Sequence, residues 1–437
     1  MKNIEFIIKS LEDEGYETYL VGGCVRDKIM GKEKSDYDLT TIARPNEIKE
    51  VFKDLNTIDI GKKYGTIKVL KDNEEFEITT FRSDLSYIDR RHPDKIRFSN
   101  DILEDLQRRD FTINSMAIRN GKLIDPFDGR ADIEKKIIRA VGNPDTRMKE
   151  DYLRALRALR FATTLNFSID KDLLIAIRDN KSDIEYISKE RIREELNKIL
   201  LSDRPSYGIK LLRKVELLEY ILPELDRTYG FDQHSTFHSD DVYNHNLKVM
   251  DKTKKDLITR IAGLYHDVGK VDTFFIDENG EGRFFSHQKV SSDLLKKRLK
   301  ELRYPKDIIE SSSKLIERHM DNMNTYTKKS IRKLLRRLGE EDLYRLFDLQ
   351  KADVLSAKLK DTSNIENGKE ILQEVLKENI PLTRNGLKIN GNDLKALGYK
   401  EGKELGEVLN MLSDMVLEEK IENDKKELIN FVKSLTN

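Results

Sequence analysis

Val21-Gly22-Gly23-Cys24-Val25-Arg26-Asp27, followed shortly by Ser35-Asp36-Tyr37-Asp38-Leu39, decides how this chain is read. Two glycines close a short apolar run, and Gly31 turns the chain toward two carboxylates spaced i, i+2. On a strand these positions share a face. Asp36 and Asp38 can therefore present oxygens side by side, as a hard cation such as Mg²⁺ requires. Two such cations, roughly 3.5–4 Å apart, can clamp the attacking and leaving oxygens of a phosphoryl transfer. An Asp-x-Asp alone also suits any polar strand end; the Gly-Gly-x-Val-Arg-Asp before it narrows the choice. Gly22 and Gly23 let a triphosphate approach the backbone, whose amides can donate to it. Arg26 is placed either to neutralise phosphate bidentately or to pair with Asp27. Glu77, on a neighbouring predicted strand, fits a third carboxylate or plain solvent exposure.

The bulk properties exclude more than they assign. With 437 residues the chain can hold two to four domains, each with its own core. Charged residues make up 37% at zero formal net charge, so any nucleic-acid surface must be local. Lys189, Arg191, Arg193 and Lys198 form one basic segment. Lys328, Lys329, Arg332, Lys333, Arg336 and Arg337 form another, and either also suits a solvated helix face. One cysteine, no signal-peptide pattern and no bilayer-length apolar run lead to the expectation of a soluble cytoplasmic protein.

Periodicity predicts an α+β organisation. Ile4 to Leu11 reads as a helix and Thr18 to Val21 as a buried strand. Tyr37 to Thr41 reads as a second strand, and Gly65 to Leu70 with Phe76 to Phe81 as a hairpin. A small, mostly antiparallel sheet domain is expected over 1–130. From about Asp132 the strand signal disappears and helical spacing takes over. The expected helical regions are 131–235, 236–360 with five of the seven histidines, and 361–437.

Two further motifs bear on a nucleotide. Arg108-Arg109-Asp110-Phe111-Thr112-Ile113-Asn114 reads as a helix start able to grip ribose and phosphates, or as a capped helix with a basic first turn. In Glu150-Asp151-Tyr152-Leu153-Arg154, Asp151 and Arg154 would lie about 60° apart on one helix face. The plain alternative is a surface ion pair. An ionised Asp only accepts and an Arg only donates. Together they match the amino donor and ring-nitrogen acceptor of cytosine and adenine, and oppose uracil and guanine. Mismatched groups left unpaired in a closed site give strong rejection.

These motifs, in this order, resemble the class II tRNA nucleotidyltransferases, the bacterial CCA-adding enzymes of the polymerase-β-like superfamily. The resemblance runs from Gly22 to about Leu222 and returns around Val408 to Val432. It implies a head, neck, body and tail, with Asp36 and Asp38 as Mg²⁺ ligands. It also implies nucleotide binding by Gly22, Gly23, Arg26, Arg108, Arg109, Asp110 and Asn114. Asp125 to Arg130 matches the head-to-neck hinge. Glu150, Asp151 and Arg154 match the amino-acid template, and Arg157 the arginine supporting it. The implied partners are tRNA, CTP and ATP. Tyr87 to Asp94 resembles the loop that switches the pocket to ATP, which argues against CC-only addition. Gly61-Lys62-Lys63-Tyr64-Gly65-Thr66 lacks the Arg-Phe-Arg element of bacterial poly(A) polymerases. A-only addition remains open. A reading from another class is a protein nucleotidylyltransferase with a regulatory hydrolase domain.

Gly263-Leu264-Tyr265-His266-Asp267-Val268-Gly269-Lys270 resembles the HD phosphohydrolase superfamily. The matches are His245, His266, Asp267 and Asp353, with His287 and His319 as ligands of a second metal. Imidazole with carboxylate suits a transition metal that activates water, and Mg²⁺ is the alternative. A degenerate, purely structural helical domain is the other reading. An active one would remove phosphate or open 2′,3′-cyclic phosphate at damaged RNA ends.

Overall fold

The computed structural model describes residues 2–32, 37–61, 65–87, 93–234, 240–357, 361–378, 386–418 and 420–435. The chain divides into two compact units, Met1–Ile221 and Leu222–Asn437.

The first unit opens on a seven-stranded sheet. Its strands are β1 (Thr18–Val21), β2 (Tyr37–Thr41), β3 (Asn56–Gly61), β4 (Thr66–Lys71) and β5 (Glu74–Thr80). A separate hairpin, β6 (Arg82–Tyr87) with β7 (Pro93–Phe98), precedes β8 (Ala117–Arg119) and β9 (Lys122–Ile124). The order is β3-β4-β5-β2-β1-β8-β9, antiparallel except for the β2–β5 pair. Alternation decides the faces. Leu39, Ile67, Val69, Phe76 and Ile78 form a core with Ile4, Ile7 and Leu11 of the helix Lys2–Asp13 and with Ile48. Tyr37 stacks on Phe76 on that same side, 6.1 Å between ring centres. Asp38 and Glu77, register partners one residue further along each strand, therefore turn to the other face.

Helices follow the sheet, as expected from the apolar spacing. Prolines begin several of them, including Pro144–Glu150 and Pro205–Lys214, where a missing N–H costs nothing. Leu153–Leu165 is the buried centre of this helical part. A Cβ on Gly208 would come within 2.4 Å of Ile199 and 2.8 Å of Thr163, so glycine permits this close helix packing. The strand signal does not vanish altogether after Asp132. Ile137–Ile138 pairs in parallel with Ser168–Ile169, and Phe275–Ile276 pairs with Gly282–Arg283. Two-residue ladders are too short to show a period.

The second unit packs Val242–Lys252, Leu257–Tyr265, His287–Glu301, Lys306–Arg318 and Glu340–Ser356 around the histidines. A Cβ on Gly263 would lie 3.2 Å from the Met250 Cα. This close crossing brings the elements carrying His245 and His266 together. The last helices, Gly391–Ala396, Lys403–Leu417 and Lys425–Leu435, share a small core of Leu394, Leu412, Val416, Leu428 and Val432. Among the described residues, no helix is long and apolar enough to cross a membrane.

Candidate functional site

The glycine turn sits where β1 ends. Gly22 has φ +74°, and a Cβ there would lie 3.3 Å from Asp38 Oδ2 and 3.2 Å from Arg109 Nη1. Glycine thus keeps open a space bounded by a carboxylate and a guanidinium. Gly23 begins the helix Gly23–Ile29. Glu77 stands across from Asp38 in the β2–β5 register, with Lys68 at 3.9 Å from its carboxylate. Asp36, the loop residues 88–92, and residues 62–64 of the Gly61–Thr66 segment lie outside the described residues.

The arginine motif differs from the expected helix start. Arg108 ends the helix Ile102–Gln107, and Thr112–Asn114 is a single 3₁₀ turn. Apolar spacing could not separate a helix end from a helix start here. Asp105, which sequence reasoning passed over, organises the motif. It is fully buried, accepting from Arg108 Nε at 3.0 Å and from Arg109 Nη2 at 3.0 Å. Burial pushes its carboxyl upward, but the two arginines win and hold it below the usual range. Arg109 Nε is buried with no hydrogen-bond partner among the described residues.

Of its two expected roles, Arg26 takes the Asp27 pair. It pairs with Asp27 through Nε at 2.9 Å and also donates to Asn114 Oδ1 at 2.8 Å. Asn114 Nδ2 donates in turn to Asp110 Oδ1 at 3.2 Å, and Arg157 Nε grips Asp110 Oδ2 at 2.8 Å. A continuous polar chain therefore links the glycine-turn helix to Leu153–Leu165. Burial raises the Asp110 carboxyl, yet Arg157 and Asn114 overrule it and hold it at about 2. The hinge motif is built alike: Asp125 accepts from the amides of Gly129 at 2.7 Å and Arg130 at 2.8 Å.

The template departs from its expected geometry. Asp151 and Arg154 do not share a helix face, because the chain breaks at Asp151. It is extended (φ −151°, ψ 104°), between the helices Pro144–Glu150 and Leu153–Leu165. Its Oδ1 accepts the Leu153 amide at 3.0 Å, a local turn that competes with continuing the helix. Its two oxygens also meet Arg191 at 2.7 and 3.3 Å. Arg154 pairs instead with Glu150 and donates to the carbonyls of Arg147 at 3.1 Å and Arg108 at 3.3 Å. Each half of the expected pair is anchored by a different partner. Arg191 was visible in the sequence only as one member of a basic segment.

In the second unit the six expected residues converge. His266 and Asp267 lie just beyond the helix Leu257–Tyr265, where the chain has left helical pairing, rather than within it. His266, His287 and His319 each place Nδ1 on the carbonyl three residues back: Gly263 at 2.9 Å, Phe284 at 2.9 Å and Ile316 at 2.7 Å. Neutral rings so bonded present the Nε2 lone pair. Burial pushes His319 down to about 4, with His266 beside it adding, and burial lowers His266 too. The Nε2 atoms face Asp267, that of His287 at 3.1 Å from Oδ1 and that of His266 at 3.4 Å from Oδ2. His245 Nε2 lies 3.0 Å from Asp353 and 3.3 Å from His266 Nε2. Lys270 Nζ neutralises part of this charge at 2.7 Å from Asp267 Oδ2, while imidazole lone pairs aimed at the same carboxylate remain repulsive unless a further cation lies among them. Two ligand trios, His245-His266-Asp267 and Asp267-His287-His319, share Asp267. The donor set fits divalent metal.

Comparisons with known proteins follow the same order along the chain. Residues 18–139 match the family model for the poly A polymerase head domain, and 166–228 that for an RNA and SrmB-binding site of polymerase A. Residues 284–432 match tRNA nucleotidyltransferase domain 2. The CCA-adding enzyme of Limosilactobacillus reuteri is 47% identical over 215 residues, 49% of this chain and 53% of that protein. The matched stretch thus spans about half the length of that curated relative. The CCA-adding enzyme of Levilactobacillus brevis is 32% identical over 97% of this chain and 95% of its own length. The crystal structure of Bacillus stearothermophilus CCA-adding enzyme in complex with CTP covers 98% of this chain and 96% of that one. It has a TM-score of 0.76 and 26% identity.

Proposed function

Because this chain belongs to the CCA-adding enzyme family of tRNA nucleotidyltransferases, we propose that it adds CCA to tRNA 3′ ends from CTP and ATP in the cytoplasm. The observation that carries this reading is the separate anchoring of Asp151 by Arg191 and of Arg154 by Glu150. A carboxylate and a guanidinium each fixed by its own partner are positioned to read a base edge. Asp151 accepts from the exocyclic amine of C or A, and Arg154 donates to the neighbouring ring nitrogen. Gly22 leaves room for the triphosphate, and Arg109 faces that space. Asp36 and Asp38, with Glu77 beside Asp38, are assigned to Mg²⁺. When bound, Mg²⁺ would supply charge neutralisation for the displaced pyrophosphate. Phosphates of the tRNA would be held mainly by Lys and Arg, with marked salt dependence. End-trimmed tRNA incubated with each nucleotide and with both tests the proposal. A product ending in CCA supports it, A-only product replaces it with the A-adding reading, and no extension sinks it.

A second reading concerns the histidine cluster, which we assign to a divalent transition metal or Mg²⁺ for phosphate-ester hydrolysis at RNA ends. The convergence of imidazole lone pairs on Asp267 favours it. Metal-loaded protein should release phosphate from 2′-phosphorylated nucleotides, and Asp267→Ala should not. Activity unchanged in that variant would remove the cluster from the reaction.

A further inference from the structure

The metal-ligand cluster forms the floor of a cavity of about 500 Å³. Asp267, His287, His319 and Asp353 line it together with Phe284 and Phe285, and Lys270, also lining it, is paired with Asp267 at 2.7 Å. Its size suits a nucleotide-scale ligand. Phe284 and Phe285 follow directly on the short hairpin Phe275–Ile276 with Gly282–Arg283. That hairpin is fixed in place. The Gly282 amide donates to the His234 carbonyl at 2.8 Å, and a Cβ on Gly282 would meet the Gln233 carbonyl at 2.0 Å. Behind it Phe274 packs on Phe231, His234 and Phe284, with ring centres 5.3, 5.7 and 5.7 Å away.

On this rigid base two rings face solvent. Phe285 is 72% exposed and Phe275 44% exposed, their centres 5.6 Å apart. Ile276 and Met320 extend the patch. An exposed aromatic pair held firmly beside a phosphate-competent cluster is a poor use of surface unless something covers it. Alkyl phosphates have no flat group to offer. A single-stranded nucleotide end does, and base stacking on aromatic side chains is indifferent to sequence.

We propose that Phe285, backed by Phe275, is the base-binding wall of the histidine cavity, so that its ligand is the terminal nucleoside of a phosphate-bearing RNA end. This deepens the hydrolase reading and rests on it for the position of the phosphate. The base stacks on Phe285 and the phosphate lies over the His/Asp floor.

The test is calorimetric binding of uridine 2′-monophosphate and of glycerol 2-phosphate to the full chain with Mn²⁺ present. Uridine is used because the Asp151–Arg154 pair of the first unit opposes its base edge. Wild type should bind the nucleotide about tenfold more tightly than the glycerol ester. Phe285→Ala should erase that advantage, and Phe285→Tyr should keep it. Equal binding of both ligands by wild type, no binding of the nucleotide, or an advantage that survives in Phe285→Ala each overturns the proposal. Phosphate release is followed in the same samples. A nucleotide that binds through Phe285 but stays intact defeats the hydrolase reading while leaving the base wall standing.

Discussion

Arg191 holds both carboxylate oxygens of Asp151, at 2.7 and 3.3 Å, across forty residues of chain. The bond keeps Asp151 aimed while Glu150 does the complementary work for Arg154. Base selection on this view depends on residues that never touch the base.

Arg191→Ala should leave Asp151 held by the Leu153 amide alone, with its second oxygen no longer aimed. We expect catalytic efficiency with CTP and ATP to fall by about 100-fold, the scale of a small misplacement in a reacting geometry. Relative incorporation of UTP should rise. Single-turnover extension of trimmed tRNA with each nucleotide measures both, and unchanged selectivity would show that Asp151 is aimed without Arg191.

Asp110 links stability to pH. Its folded value of about 2 lies below the ordinary 3.8, so its contribution is present above pH 4 and is lost as pH falls through about 2. The difference corresponds to about 2 kcal/mol. Asp110→Asn should be less stable by about that amount at pH 7, with a flatter acid limb between about pH 4 and 2. Denaturant titrations across that range would reveal a mistaken assignment as parallel curves.

Gly22→Ala places a methyl between Asp38 and Arg109 at a positive φ. At φ +74° and ψ −137° the backbone penalty is about 1–3 kcal/mol, which a domain of this size survives. Nucleotidyl transfer should fall far more than the melting temperature does. Comparing single-turnover rate with thermal melting separates the two effects, and an active Ala variant would place the triphosphate elsewhere.

Metal removal should loosen the second unit. At a free metal concentration of 100 times Kd, binding adds about 2.7 kcal/mol to stability. Chelator-treated protein should therefore melt lower than protein in Mn²⁺. Asp267→Ala should lose the Mn²⁺-dependent increment. An increment that persists there would assign the stabilising metal to another site.

The legible parts of this chain were those written in short-range spacing. Thr18–Val21 and Tyr37–Thr41 emerge as strands because a short run rich in β-branched and aromatic residues is a local signal. The edge strand Asn56–Gly61 was missed: Ile58 and Ile60 are exposed rather than buried, so its pattern points to no core. The helical break at Asp151 was missed for another reason. Its side chain takes the Leu153 amide, a local bond that average helical spacing does not register.

By itself the sequence determined the carboxylate pair after the double glycine, the order of the nucleotide motifs and the His and Asp inventory of the second unit. Those signals survive because each lies within a few residues or is a residue type with narrow chemistry. Only the tertiary structure decided that Asp105 binds Arg108 and Arg109, that Asp151 answers to Arg191, and that three imidazole lone pairs meet on Asp267. The long-range pairings depend on how helices cross, and the local ones on which rotamer burial selects. A linear spacing rule contains neither.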